Sequence, residues 1–263
     1  MIKLGIIGLG QIGSSILKSL YKNKDYEIYC YSNSSFKKAK KYTKNASNDI
    51  KIVQNCDIIF VCCAINETLN VLNLLNEFLS KKTIVADVSS IKANLLDKTY
   101  NFNFILTHPM AGVEKSGFDS GFDGLFENCK WLVEKRSKLL VKIIQDMNAK
   151  PVKINMKNHD SLCAQISHLP TILSFLLFDS TTKEAKKIAS SGFRDTTRLA
   201  VTDHRLALAM FNNNKENIIK SFDKIIDKLN YLKNLSDDEK INLFKAISTD
   251  RVKMYDKSGK NIL

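Results

Sequence analysis

The sequence predicts an α/β doubly wound parallel sheet over residues 1–153 followed by an all-α domain over residues 154–263. Three observations carry this expectation. Short apolar runs alternate with longer helical periods in the first part, the strand signal stops after Lys157, and beyond it apolar residues recur only at helical spacing. Strand–helix alternation builds a parallel sheet with helices on both faces, whereas helical periods alone build a bundle.

The elements follow in order. Ile2–Ile7 reads as a strand, Ile12–Tyr21 as a helix, Glu27–Tyr31 as a second strand and Phe36–Tyr42 as a short basic helix. Ile58–Cys62 is apolar throughout, as a strand covered on both faces requires. Thr68–Leu79 sets Leu69, Leu72, Leu75 and Leu79 at helical spacing, and Thr83–Val88, Phe102–Leu106 and Trp131–Val133 read as further strands. In the second part Leu162, Ile166, Leu169, Leu173, Leu176 and Leu177 share one stripe of a long helix. Ile218, Ile219, Phe222, Ile225, Ile226, Leu229 and Leu232 share another. Ser236 opens a last helix with Asp237, Asp238 and Glu239 in its first turn, where the macrodipole favours acids. Apolar stripes this wide on so few helices need a partner surface, and a second copy of the chain is the simplest one. A homodimer through the helical part is expected.

Composition bounds the function. With 263 residues, 44% hydrophobic and 25% charged, the chain has an ordinary globular profile, which excludes a disordered tail, a fibre or a disulfide knot. The net charge of +13 comes from lysines spread along the chain, not from one element interleaved with aromatics. It therefore reads as background composition and not as a nucleic-acid surface, though it speeds encounter with small anions. The six cysteines show no CxxC pair, and they read as reduced thiols with no metal site. No run of 18 apolar residues exists, so no membrane span is expected and the cytoplasm is the expected location.

Gly8-Leu9-Gly10-Gln11-Ile12-Gly13 lies between the first strand and the first helix. In that context a G-x-G-x-x-G turn is a dinucleotide-binding fingerprint. Gly8 makes the tight turn, Gly10 admits a pyrophosphate to the backbone, and Gly13 lets helix and strand pack, with Gln11 and Ile12 between them. The helix N-terminus offers N–H groups to the phosphates. A Rossmann-type domain binding NAD(P)+ is expected. The place near the second strand that would hold an NAD-specific acid reads Tyr31-Ser32-Asn33-Ser34-Ser35, with no carboxylate. Ser32, Asn33 and Ser34 are donors suited to a 2′-phosphate and Lys37 to its charge, which leans to NADP+. NAD+ with Ser32 as a weaker ribose partner is the alternative.

Two strand ends present chemistry beside the expected nicotinamide: Asp87-Val88-Ser89-Ser90-Ile91-Lys92 and His108-Pro109-Met110-Ala111-Gly112. Farther on, Ser191–Ala200 gathers Arg194, Asp195 and Arg198 in a helix-rich region. These segments, with the Gly8–Gly13 loop, Val113–Gly117, Asn158-His159-Asp160 and Ser167-His168-Leu169-Pro170, run in the order of the prephenate dehydrogenase family, which the chain resembles.

The resemblance implies a helical dimerisation domain and an active site between it and the Rossmann domain. It also implies oxidative decarboxylation of prephenate to 4-hydroxyphenylpyruvate in tyrosine synthesis, by a stand-alone dehydrogenase. His108 is then the acceptor of the substrate hydroxyl proton, with Ser90 orienting it or bonding the same hydroxyl. Arg198 grips a substrate carboxylate, Arg194 ranks behind it, and Glu114 and His168 join the site. The family often reads Ser-His-Leu-Pro-His, whereas Thr171 follows Pro170 here, so the side-chain preference between prephenate and arogenate stays open. Another Rossmann-plus-helical reductase, of the β-hydroxyacid dehydrogenase or pyrroline carboxylate reductase type, is the more distant enzyme alternative. A non-catalytic NADP-sensing regulator is the alternative of a different class.

Overall fold

The computed structural model describes residues 1–112 and 115–255. Six strands form one parallel sheet: β1 (Ile2–Ile7), β2 (Tyr26–Tyr31), β3 (Asn45–Ser47), β4 (Ile58–Val61), β5 (Ile84–Asp87) and β6 (Asn103–Ile105). Their order is β3-β2-β1-β4-β5-β6, the doubly wound order of a dinucleotide-binding sheet. In β4 all four residues are buried, as an apolar run between two helical layers must be. Helices α1 (Gln11–Leu20), α2 (Phe36–Ala39) and α3 (Ile65–Asn76) lie in the crossovers. Leu4, Ile6, Phe60 and Trp131 sit in one core with Ile16 and Leu17 of α1, while Ile7, Ile59 and Val85 sit in a second with Leu72 and Leu75 of α3. Cys62 packs on the first core and Cys63 on the second, so the adjacent thiols face opposite layers.

The sequence places all its strands in one sheet, and here the structure differs. A second sheet, β7 (Thr107–Pro109), β8 (Lys130–Val133) and β9 (Lys150–Lys153), follows β6, with β7 antiparallel to β8 and β8 parallel to β9. The chain leaves the parallel sheet at Thr107 because Asp87 captures it: Thr107 N–H donates to Asp87 Oδ1 at 3.0 Å and its hydroxyl to the Asp87 carbonyl at 2.5 Å. Trp131 Nε1–H donates to the same hydroxyl at 3.0 Å, fastening β8 to β7. Helix α4 (Lys138–Asp146) links β8 to β9.

The helical part continues through α5 (His159–Cys163), α6 (Leu169–Ser180), α7 (Lys183–Lys187), α8 (Ser191–Thr196), α9 (His204–Asn213), α10 (Lys215–Lys233) and α11 (Asp237–Met254). A π-helical turn over Ala164–His168 joins α5 to α6. It precedes Pro170, which has no N–H for the carbonyl of Ile166 and whose ring crowds it, so the wider turn relieves the clash. That turn puts Cys163, Ala164, His168, Thr171 and Ser174 on the buried face. Leu162, Ile166, Leu176 and Leu177 are left on the exposed one. Four of the six stripe residues thus face outward, while Leu169 is buried and Leu173 half-buried; the exposed four form a surface that needs a partner.

By length and composition the helical run Met156–Ser180 is able to cross a membrane, which the sequence expectation did not allow. Yet His159, Asp160 and His168 lie buried within it, hydrogen-bonded to other elements of the same unit.

Two compact units emerge, residues 1–218 and 219–263. Residues after 153 bond into the first of these units. Asp160 accepts the N–H groups of Lys92 and Ala93, and Asn94 and Asn66 meet Asn213. In the second unit α11 begins with the expected Ser236 cap, completed by Glu239 in a reciprocal capping box. Ile225, Ile226 and Leu229 of α10 and Ile241, Phe244 and Ile247 of α11 are exposed.

Candidate active site

The glycine turn is built as its spacing requires. Gly8 has φ +85°, and a Cβ there would lie 2.7 Å from the Cys62 carbonyl oxygen. At Gly13 a Cβ would lie 2.0 Å from the Gly8 carbonyl oxygen, so glycine is what lets α1 rest on the turn. Gly10 differs: a Cβ there meets nothing within 4 Å. No contact within the described protein demands glycine at this N-cap, so the open space fits a diphosphate lying on the backbone. Gln11 Nε2–H donates to the Lys115 carbonyl at 2.7 Å, and Lys18 Nζ to the Gly121 carbonyl at 2.6 Å. The segment after His108 is therefore fastened to the helix that carries the glycine turn. A cleft of about 190 Å³ opens between α3 and the loop after β5, lined by Asn66, Asn70, Ser89, Ile91 and Asn94. These residues follow the carboxyl ends of β4 and β5, where open α/β sheets hold their ligands.

At the end of β2 the hydroxyl of Ser32 accepts the Ser35 N–H at 3.1 Å and keeps its own proton to donate. Asn33 Oδ1 accepts from the Tyr31 hydroxyl at 2.8 Å, and Asn33, Ser34 and Lys37 are exposed. The neighbouring Lys38 is paired with Asp119, which leaves Lys37 the better placed of the two for a phosphate.

His108 stands in β7 itself, not after a strand end as expected, paired opposite Leu132. Strand alternation explains its aim: Thr107 and Pro109 are buried on one face, and His108 projects from the other. Beneath it lies a buried ion pair, Lys92 Nζ with Asp87 Oδ2, and both side chains are fully buried. Lys92 also donates to the carbonyls of Thr107 at 2.6 Å and Ser89 at 2.7 Å, so all three ammonium protons find acceptors. Burial lowers the Lys92 pKa, and the Asp87 carboxylate opposes that shift.

His108 Nδ1 lies 2.9 Å from His159 Nε2, and His159 Nδ1 lies 2.6 Å from Asp160 Oδ1. The orienting partner of His108 is thus His159; among the described residues no hydrogen bond joins Ser90 to it. Burial first, and the Lys92 ammonium second, hold the His108 imidazole well below its ordinary pKa, so it is neutral near pH 7. Burial alone would raise Asp160, but bonds from His159 and from the N–H groups of Lys92 and Ala93 outweigh it and keep the carboxyl below its usual range. Cys163 Sγ lies 3.4 Å from His159 Nε2, and the three donor atoms of His108, His159 and Cys163 fall within 4.8 Å of one another. Burial pushes the Cys163 thiol up to about 12. The three groups stand in mutual hydrogen-bond contact, with Cys163 Sγ also 3.9 Å from His108 Nδ1.

His168 is fully buried, and burial pulls its pKa down to about 4. Asn214 Nδ2 donates to the Asp160 carbonyl at 2.7 Å and contacts His168 Nδ1 at 3.1 Å. Nδ1 of His168 therefore accepts and Nε2 carries the proton, yet Nε2 has no hydrogen-bond partner among the described residues. A buried donor without an acceptor is one that a ligand can complete. Thr171 is buried, with its hydroxyl given to the Ser167 carbonyl at 2.9 Å. Arg194 is exposed and committed to Asp195 at 2.8 Å, while Arg198 opens an exposed 3₁₀ turn (Arg198–Val201) after α8. Glu114 lies outside the described residues. Reading the sequence for motifs missed the roles of His159, Asp160, Asp87 and Lys92. The signal was the clustering of His159 with Asp160, two adjacent polar residues at the start of an apolar helical run.

Comparison with known proteins decides the family. Residues 17–150 match the prephenate dehydrogenase nucleotide-binding domain, and residues 155–248 match the prephenate dehydrogenase dimerization domain. The chain belongs to the prephenate dehydrogenase family. It is 32% identical over 249 residues to the prephenate dehydrogenase of Lactococcus lactis, covering 87% of this chain and 70% of that one. A solved prephenate dehydrogenase from A. aeolicus, in complex with hydroxyphenyl propionate and NAD+, superposes with a TM-score of 0.83 at 27% identity, covering 96% and 98% of the two chains. The arogenate dehydrogenase of Synechocystis superposes with a TM-score of 0.82 at 27% identity, covering 96% and 99%.

Proposed function

We propose that the chain catalyses oxidative decarboxylation of prephenate to 4-hydroxyphenylpyruvate in tyrosine synthesis, with hydride transfer to NAD(P)+. The observation that carries this reading is His108: a neutral imidazole on β7, held at Nδ1 by His159, in a chain whose two halves match the two family domains. A nicotinamide cofactor supplies the hydride acceptor when bound. His108 takes the proton of the ring hydroxyl as the hydride leaves the same carbon, which makes a ring ketone. The bond to the ring carboxylate then breaks and CO2 departs, and its electron pair aromatises the ring to a phenolate. The imidazolium of His108 returns its proton to that oxygen. Atoms and charges balance with one hydride transferred and one CO2 released.

Arg198 is assigned to a substrate carboxylate through its planar fork, and the unpartnered Nε2–H of buried His168 is a second donor for an anionic group. Ser90 is assigned to the reacting hydroxyl, and Gly8, Gly10, Gln11, Ile12 and Gly13 to the cofactor diphosphate. The modules proposed are residues 1–153 for the cofactor and 154–263 for dimerisation, and the outward apolar stripes of both helical segments support a homodimer. All six cysteines are free thiols, which supports a cytoplasmic setting.

For the cofactor, the donors Ser32, Asn33, Ser34 and Lys37 favour NADP+, whereas the relative from A. aeolicus was solved with NAD+. For the substrate, Thr171 gives no imidazole to a pyruvyl side chain, and the likeness to an arogenate dehydrogenase keeps arogenate as the second reading. One two-by-two assay of prephenate and arogenate against NAD+ and NADP+, followed at 340 nm, tests all of this. Turnover of at least one pair is expected. A folded dimer that turns over none of the four contradicts the reading.

A further inference from the structure

The chain of polar groups behind His108 fixes which of its two nitrogens is the base. We propose that Asp160 and His159 act as positioning residues that hold His108 in its Nδ1–H tautomer, leaving the Nε2 lone pair as the only proton acceptor. The proposal deepens the dehydrogenase reading and rests on it for its catalytic part. Its tautomeric part stands on the contacts alone.

Asp160 anchors the chain of contacts. Its carboxylate accepts the Lys92 N–H at 2.8 Å and the Ala93 N–H at 2.8 Å, and it meets His159 Nδ1 at 2.6 Å. An ionised carboxylate only accepts, so His159 Nδ1 carries the proton. A neutral imidazole has one N–H, so His159 Nε2 is bare and accepts from His108 Nδ1 at 2.9 Å, which lies nearer than the weakly donating Cys163 thiol at 3.4 Å. His108 Nδ1 therefore donates, and its Nε2 is bare in turn. The reverse arrangement needs His159 as an imidazolium, donating to His108 and leaving the proton on Nε2, where no base remains.

Burial and the Lys92 ammonium oppose that reversal, against the Asp160 carboxylate that faces His159 Nδ1. His159 is fully buried; Lys92, itself buried, brings a positive charge from the loop after β5. From the helical side come Cys163, which keeps its thiol proton, and neutral His168. Asp87 is already matched by Lys92. When His108 takes a proton at Nε2, its Nδ1–H is already seated on His159, and the Asp160 charge lies one ring beyond. That negative charge counters the Lys92 ammonium, which otherwise disfavours an imidazolium at this place.

The test uses the whole protein labelled with ¹⁵N-histidine. Four histidines, of which His108, His159 and His168 are buried or partly so, give a readable set of long-range ¹H–¹⁵N correlations, assigned by single substitution. We expect His108 and His159 both as Nδ1–H tautomers near pH 7. In His159→Phe, which fills the space without an acceptor, His108 should populate the Nε2–H form. Its kcat should fall by about 10- to 100-fold, the loss of one hydrogen bond to a charged group, with the Kd for NAD(P)H unchanged. In His159→Gln, whose Oε1 can accept from His108, both tautomer and kcat should largely return. A wild-type spectrum with His108 protonated at Nε2, or a folded His159→Phe with tautomer and kcat unmoved, overturns the proposal. Should the Phe variant not fold, the wild-type spectrum still decides. If the wild type shows the expected tautomers but turns over no substrate, the dehydrogenase reading fails and the tautomer assignment stands.

Discussion

Two glycines five residues or fewer from the start of α1 should respond in opposite ways to one added methyl group. Gly10 caps α1 with φ −71° and ψ −161°, an extended conformation open to any residue, and its Cβ would meet nothing within 4 Å. Gly10→Ala should therefore cost the fold no more than about 1 kcal/mol, the preference for glycine over alanine at an N-cap. The same methyl stands where a diphosphate approaches the N–H groups of the turn. Displacing it weakens charge-assisted bonds worth roughly 1.5–3 kcal/mol each, so NAD(P)H affinity should fall by about 10- to 100-fold. Gly13→Ala should do the reverse. Its Cβ would sit 2.0 Å from the Gly8 carbonyl oxygen and 3.1 Å from the carbonyl carbon. Relieving that contact means moving α1 off the sheet, at a cost of about 1–3 kcal/mol or more. The assay pairs fluorescence titration of NAD(P)H with urea unfolding of each variant. A Gly10→Ala protein that binds the dinucleotide as tightly as the wild type would refute the placement of the phosphates on this turn.

Other outcomes follow from the same geometry. Arg198→Ala should raise KM for the substrate by roughly 10- to 100-fold with a smaller change in kcat, since the carboxylate proposed as its partner is present before and after hydride transfer; steady-state kinetics with an unchanged KM would remove it from the site. Because His168 titrates at about 4 in the folded chain, against about 6.5 unfolded, the unfolded chain binds a proton that the native one refuses between those values. Stability should thus fall as pH drops from 6.5 to 4, by about 3 kcal/mol from this residue, and His168→Gln should flatten that part of a urea-midpoint profile. The acid limb of kcat/KM should lie well below pH 6.5, because His108 is held neutral by burial and by Lys92; a limb at or above 6.5 would contradict that electrostatic picture.

Much of this was legible in the residues because local patterns decide it. The run Ile58–Val61 has the unbroken apolar pattern of a covered strand, and the glycines at 8, 10 and 13 after an apolar strand have the spacing of a turn, a close backbone approach and a helix–strand contact. His108 was singled out because a His-Pro pair was read just after a strand end beside a dinucleotide fold, although it stands inside β7. Its surroundings were not legible. That Thr107 is taken from the ladder by Asp87, and that His159 rather than Ser90 meets His108, depend on contacts between residues 20 and 51 positions apart. Periodicity carries no record of such pairings. The leucine stripe of residues 162–177 shows the limit from another side: its helical spacing was legible, but the face that is buried carries His168, Thr171 and Ser174 together with Leu169, while Leu162, Ile166, Leu176 and Leu177 are exposed.

The central claim is that the His108 imidazole is the proton acceptor of the reaction, and His108→Asn measures it most directly. Asparagine keeps a polar group of similar reach at β7 and removes the base. With prephenate and the preferred cofactor, kcat should drop by two or more orders of magnitude while the Kd for NAD(P)H and the unfolding midpoint stay near those of the wild type. An unchanged kcat in that folded, cofactor-binding variant would show that the proton leaves by another route.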